Sequence, residues 1–277
     1  MRSQPLMPRR GDPLARPSRI LRALDPLLFS SVWAACVAGS LALAASLAME
    51  LRPSLTVIGL ATAGTLVVYN VDRLRDLERD RATAPLRSAF VERNRAHLVA
   101  LVGAAAVLSL LLALRMEPAV WLLCAAGLVL GLLHRRLKGW RAFKTCYVTA
   151  VWIGVVVGLP ALAPQRGSEP ESALHVAWVT ASLGCSLGAN LVASNLGQAG
   201  GYPGPGRRAQ LALAFALSVI AAGVASLGPG TVKPLAWVGI AEATSVLAWR
   251  PGERYGLAAL DGALLGGGLA AVVFASL

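Results

Sequence analysis

Three aspartates stand four residues apart in the segment Tyr69-Asn70-Val71-Asp72-Arg73-Leu74-Arg75-Asp76-Leu77-Glu78-Arg79-Asp80-Arg81. On a continuous helix, residues at this spacing follow one another along one face, a turn apart. Asp72, Asp76 and Asp80 would then line up as three carboxylates of like charge, which repel by a few tenths of a kcal/mol per pair. Two arrangements relieve that repulsion. Arg73, Arg75 and Arg79 can neutralise the acids in an ordinary salt-bridged helix extension. Alternatively a bound cation does so, and Mg²⁺ suits a couple of carboxylates completed by phosphate oxygens.

The elements that position this row are apolar. Of 277 residues, 56% are hydrophobic and 14% charged, and the mean hydropathy is +0.62. A soluble domain carries about 25% charge, so a bilayer must solvate much of this surface. Apolar runs fall at 27–48, 54–71, 97–114, 119–134, 145–163, 173–194, 209–228, 235–249 and 256–276. A span takes about 20 apolar residues. The runs do not alternate in polarity as barrel strands do, so they predict nine transmembrane helices, the second, fourth and eighth being short. The first run is longer than a signal-peptide core of about 7–15 residues and is read as a span.

Charge sets the orientation. The net charge is +12, but no nucleic-acid recognition motif accompanies it. With the N-terminus in the cytoplasm, 22 of the 26 Lys and Arg fall on inner segments, and only Arg52, Arg115, Arg166 and Lys233 fall outside. The positive-inside rule predicts that bias. An odd number of spans then leaves the C-terminus outside. Residues 1–25, rich in Arg and Pro, read as a flexible basic cytoplasmic leader, and 26–277 as one membrane domain. The acidic row lands at the cytoplasmic end of span two. Cys36, Cys124, Cys146 and Cys185 lie singly in separate spans and read as small buried hydrophobes.

A DxxxD at the cytoplasmic end of span two of a nine-span protein resembles the UbiA superfamily of intramembrane prenyltransferases. The layout covers essentially the whole membrane domain, although the specific residues are few. Asp72-Arg73 with Asp76, Arg87 before the next span, and Arg141-Ala-Phe-Lys144-Thr-Cys-Tyr147 at the start of span five carry the likeness. That family has nine helices around a central cavity, and the resemblance implies the same all-α architecture here; two NxxxDxxxD-like motifs, after spans two and six, hold Mg²⁺ against the diphosphate of a prenyl donor. The sequence departs from both. In the first motif the asparagine would fall at Val68, and Asn70 is out of step. The second reads Asn190-xxx-Ser194-xxx-Gln198, with its aspartates replaced.

The resemblance therefore implies transfer of a prenyl group from a polyprenyl diphosphate to a lipid-soluble or aromatic acceptor, in a bacterial-type inner or plasma membrane. It implies at most one strong Mg²⁺ site, at Asp72 and Asp76. Lys144, Arg87 and Arg141 would face the diphosphate. Asn70, Arg73, Asp80, Asn190, Ser194, Asn195 and Gln198 would complete the substrate site. Half of the acidic equipment is missing, which keeps a non-catalytic isoprenoid-binding or scaffold protein as the alternative. A transporter is the third reading, with the intramembrane acids Glu242 and Asp261 lining its pathway. Gly266, Gly267 and Gly268 predict close helix packing in span nine.

Overall fold

A computed structural model describes residues 19–137, 141–163, 173–196 and 205–277. The described residues form helices and no strand. The first described helix is α1 (Arg19–Phe29), which reaches into the start of the first run, followed by α2 (Val32–Ala48). Next come α3 (Leu55–Arg75), two short helices α4 (Leu77–Thr83) and α5 (Pro85–Arg93), then α6 (Arg95–Ala113) and α7 (Pro118–Leu137). A long element follows, made of α8 (Arg141–Ile153), a π-helical turn (Gly154–Gly158) and α9 (Leu159–Leu162). The chain continues through α10 (Ala173–Leu196), α11 (Pro205–Leu227) and α12 (Ala236–Leu247). It closes with α13 (Glu253–Tyr255), a second π turn (Gly256–Leu260) and α14 (Asp261–Ala275). Pro85 sits at the start of α5, where a missing N–H costs nothing.

All nine apolar runs are helical. Six elements are long and apolar enough to cross a membrane among the described residues, and the bent α1–α2 pair makes a seventh. The chain thus has the architecture of a multi-pass α-helical membrane protein. The fourth run lies in α7, which is 20 residues long, and the eighth falls short of a span. In the eighth run, a 3₁₀ turn at Lys233–Leu235 and the turn after Leu247 leave a helix of 12 residues. α6 shows how the bilayer replaces a protein neighbour: Val107, Leu110, Leu111 and Leu114 are each more than half exposed.

The first run is not the single straight helix that its composition predicts. α1 and α2 meet at 66°, with Ser31 left-handed at φ 64°. No proline or glycine marks this break. Its cause is tertiary. Arg73 Nη1 donates to the carbonyls of Leu28 and Phe29, and Asn70 Nδ2 donates to the carbonyl of Ser30 at 2.8 Å. These carbonyls have lost their helical partners, and side chains of α3 replace them.

α2 is the buried centre. Twelve of its residues are inaccessible, mostly alanines with Leu41 and Val37, and it packs on α3 and α14. Small residues set the closest approaches. A Cβ on Gly267 would lie 2.6 Å from Val238 Cα, and one on Gly239 would lie 2.6 Å from Ala222 N. A Cβ on Gly268 would meet Ser40 Oγ at 3.0 Å, whereas Gly266 faces open space. The expected packing role thus holds for Gly267 and Gly268 and fails for Gly266. All four cysteines are unpaired, and none is buried within the protein as expected: Cys36 and Cys146 are exposed on the helix surface and Cys124 and Cys185 are half-buried.

Candidate functional site

A cavity of about 310 Å³ opens between α3, α7, α8, α10 and the 252–261 segment, with α4 and α5 across its mouth. Its walls change character with depth along each helix. α3 contributes Val68, Tyr69, Asp72, Arg73 and Asp76, a stripe at helical spacing that runs from apolar to acidic. α8 repeats the pattern with Lys144 near its start, then Tyr147, Val148, Val151 and Trp152. α10 supplies Asn190, Leu191, Ser194 and Asn195. α7 presents the Leu130 side chain between two glycines, Gly127 and Gly131.

The mouth is charged. The three aspartates all line it, and the backbone carries the row through the end of α3. Asp76 N donates to Asp72 O and Asp80 N to Asp76 O, both at 2.9 Å. Helix geometry is interrupted only at Asp76, so the row keeps nearly the register of one helix. Asp76 is 5% exposed. Asp80 is committed elsewhere: Arg87 Nη2 donates to its Oδ2 at 2.6 Å, with both side chains 19% exposed. Arg81 pairs instead with Glu78 and Glu92, and its hydrogen bond to Glu92 holds the guanidinium still more firmly charged. Lys144 Nζ donates to Asn195 Oδ1 at 3.1 Å across the cavity.

Glu253 closes the mouth from the far end of the chain. Its Oε1 accepts from Leu86 N at 3.1 Å and its Oε2 from Arg87 N at 3.0 Å. α5 has Ala84 at its cap position and Pro85 at its first turn, so it brings no capping oxygen of its own. Beside Glu253, Arg254 forms a two-pronged ion pair with Asp25 of α1, at 2.8 Å for each bond. Phe29 and Phe90 complete the seam, with ring centroids 5.8 Å apart.

The floor is aromatic and polar. Trp152 Nε1 donates to Tyr69 Oη at 3.1 Å, and the two rings meet edge to face. Behind them Asn190 Nδ2 donates to Asp261 Oδ1 at 3.3 Å and to the fully buried Glu242 Oε1 at 3.2 Å. The π turn at Gly256–Leu260 ends directly before Asp261, and Gly256 and Leu257 line the wall above it. Single π turns of this kind cluster at functional sites.

Of the residues singled out from sequence, Asp72, Arg73, Asp76, Asp80, Arg87, Lys144, Asn190, Ser194 and Asn195 line this one cavity. Asn70 does not: it is fully buried against the α1–α2 break. Arg73 reaches the cavity, but its Nη1 serves the same break. The side chain of Arg141 and the whole of Gln198 lie outside the described residues. Sequence reasoning missed Tyr69, Tyr147, Trp152 and Glu253. The first three were readable by extending the Asp72 and Lys144 faces by one or two turns. Glu253 gave no local signal.

A metal would find a suitable but incomplete shell here. Among the described residues, no three His, Cys, Asp or Glu side chains converge on one point. Asp72 and Asp76 offer two carboxylates, and Mg²⁺ is commonly held by one or two carboxylates plus phosphate oxygens and water. The donor set therefore fits a metal shared with a phosphate ligand, and it does not fit a closed protein cage. Comparison with protein-family models, with curated proteins and with solved structures found no match.

Proposed function

We propose that this chain is an integral membrane prenyltransferase of the UbiA type, moving a prenyl group from a polyprenyl diphosphate to a lipid-soluble or aromatic acceptor. In this reading it has nine spans, with the N-terminus and the cavity mouth cytoplasmic and the C-terminus outside. One observation carries the proposal. Two carboxylates, Asp72 and Asp76, and two cations, Arg87 and Lys144, share a single cavity whose deeper walls are apolar and aromatic. That gradient matches a ligand with a charged head and a hydrocarbon body.

Asp72 and Asp76 would hold Mg²⁺, which supplies positive charge against the diphosphate leaving group. Lys144 and Arg87 add fixed cations facing the same oxygens, so the charge that grows as the allylic C–O bond breaks meets preorganised partners. Arg87 then exchanges Asp80 for phosphate. Val68, Leu130, Val148 and Val151 exclude water from the allylic carbon. The faces of Tyr69, Tyr147 and Trp152 offer electron-rich rings to a developing carbocation, as they would to any cation. The second motif lacks its acidic pair, because Ser194 and Gln198 stand where the family places acids. That observation favours a second reading: a protein that binds isoprenoid diphosphates without turning them over.

The experiment is turnover in lipid nanodiscs with labelled geranyl, farnesyl or longer prenyl diphosphates, Mg²⁺ and a panel of aromatic acceptors, following both diphosphate and prenylated product. Mg²⁺-dependent product that disappears in Asp72→Ala and Asp76→Ala supports transfer. Tight diphosphate binding without product supports the second reading. Activity that survives both substitutions sinks the site assignment.

A further inference from the structure

The guanidinium of Arg87 at the cavity mouth is only partly satisfied. Its Nη2 donates to Asp80 Oδ2 at 2.6 Å, which is the side chain's one hydrogen bond among the described residues. Its Nε is sealed from water and has no acceptor. An arginine fork binds best when two of its N–H groups meet two oxygens at once. Asp80 engages one prong and leaves a buried donor unmet. Arg73 stands near enough for the charges of both Arg87 and Asp80 to act on it, while its Nη1 serves the Leu28 and Phe29 carbonyls. One carboxylate thus faces two guanidiniums.

The two ends of the Asp80–Arg87 bond are held unequally. Arg87 belongs to α5, where Ser88 and Val91 are buried and Glu253 takes the Leu86 and Arg87 N–H groups. Asp80 belongs to α4, which has no buried residue. Besides Asp80, the side chain that ties α4 down among the described residues is Arg81, paired with Glu78 on α4 itself and with Glu92 on α5. An anion that competes for Arg87 therefore dislodges Asp80 and its helix, and leaves Arg87 in place.

We propose that Asp80 is an internal stand-in for a phosphate: it occupies Arg87 until the ligand's anion replaces it, weakens anion binding by that competition, and releases α4 when it is displaced. The inference rests on the diphosphate reading of the mouth and adds an autoinhibitory contact to it. A phosphate outdoes the carboxylate in two ways. Its oxygens can meet Nη2 and Nε together, and it brings more negative charge to a place where two guanidiniums lie close. Asp72 and Asp76 line the same mouth and repel a bare anion, so diphosphate given with Mg²⁺ is the suitable probe.

The test titrates inorganic diphosphate, at constant Mg²⁺, into the full chain in nanodiscs. Asp80→Ala is expected to bind it about tenfold more tightly than the wild type, the worth of one hydrogen bond to a charged group. Removing any nearby negative charge favours an anion, so the substitution is repeated beside Arg87→Gln. There the gain should fall below about twofold, because Asp80 no longer has Arg87 to occupy. An equal gain in both backgrounds, no gain, or weaker binding by Asp80→Ala overturns the inference. Hydrogen exchange of the wild type gives a reading that needs no variant, and it decides alone should Asp80→Ala unfold. Diphosphate should speed exchange at 80–84 and leave α6 unchanged, and unchanged or slower exchange at 80–84 overturns the inference as well. Prenylated product scores the transferase reading separately. An Arg87-dependent gain without product keeps the stand-in and removes the transferase, and product without that gain does the reverse.

Discussion

Glu253 performs for α5 a task that its own sequence leaves undone, and removing it should loosen one segment without unfolding the protein. A helix start needs acceptors for its N–H groups, most often a Ser, Thr, Asp or Asn side chain that takes the second and third. Here Ala84 has no such oxygen and Pro85 has no N–H, so Leu86 and Arg87 carry the donors in need. Glu253 meets both, at 3.1 and 3.0 Å, from 167 residues away in sequence for Leu86. Losing a cap costs about 0.5–2 kcal/mol, and losing a negative charge at a helix start costs about 0.3–1 kcal/mol more. The Leu86 bond is open to water, which offsets part of the loss, leaving about 1–2 kcal/mol. Because 1.4 kcal/mol is a factor of ten, Glu253→Ala should raise the open population of this segment about 5- to 30-fold. Hydrogen exchange in nanodiscs reads this directly: amides of 86–93 should exchange faster by that factor, while those of α6 stay unchanged. Identical exchange in wild type and variant would refute the capping argument. Uniform acceleration along the chain would show that Glu253 supports the whole fold rather than one helix.

Two further outcomes concern packing and the break in the first span. Gly267→Ala should destabilise by about 1–3 kcal/mol, since its Cβ meets the backbone of Val238 at 2.6 Å. Its neighbour Gly266→Ala, in open space, should be neutral or stabilising by up to about 1 kcal/mol, and thermal unfolding of the pair distinguishes the two. Arg73→Gln should strip the Leu28 and Phe29 carbonyls of their donor, costing about 1–3 kcal/mol. Faster exchange confined to 30–35, with a lowered melting temperature, is the signature expected, and an unchanged melting temperature counts against it.

What the sequence could convey follows from the range of the forces involved. Every apolar run is a helix because composition alone decides it, and the acidic row lies on one face because period 3.6 is local. The bend at Ser31 was not legible. It depends on Asn70 and Arg73 arriving from α3, and neither Ser30 nor Ser31 breaks helices by itself. For the same reason Asn70 reads from sequence as a substrate ligand when its partner is the Ser30 carbonyl at the α1–α2 break: polarity does not name the partner. The short α12 was hidden because hydropathy counts residues and overlooks the 3₁₀ turn and the closing turn that take its ends. Asp261 could be flagged as an intramembrane acid, yet its meeting with Asn190 and Tyr69 is purely tertiary. Glu253, one charge among several in Arg250-Pro-Gly-Glu-Arg254, had no pattern to betray it.

The central claim is that Asp72 and Asp76 form one metal-assisted diphosphate site. Calorimetric titration of farnesyl diphosphate into the nanodisc-embedded chain, at stepped Mg²⁺ concentrations, tests it most directly. The account predicts binding that requires Mg²⁺, with one ion taken up per chain, abolished by Asp72→Asn or Asp76→Asn. Binding that ignores Mg²⁺, takes up two ions, or persists unchanged in both variants would contradict it.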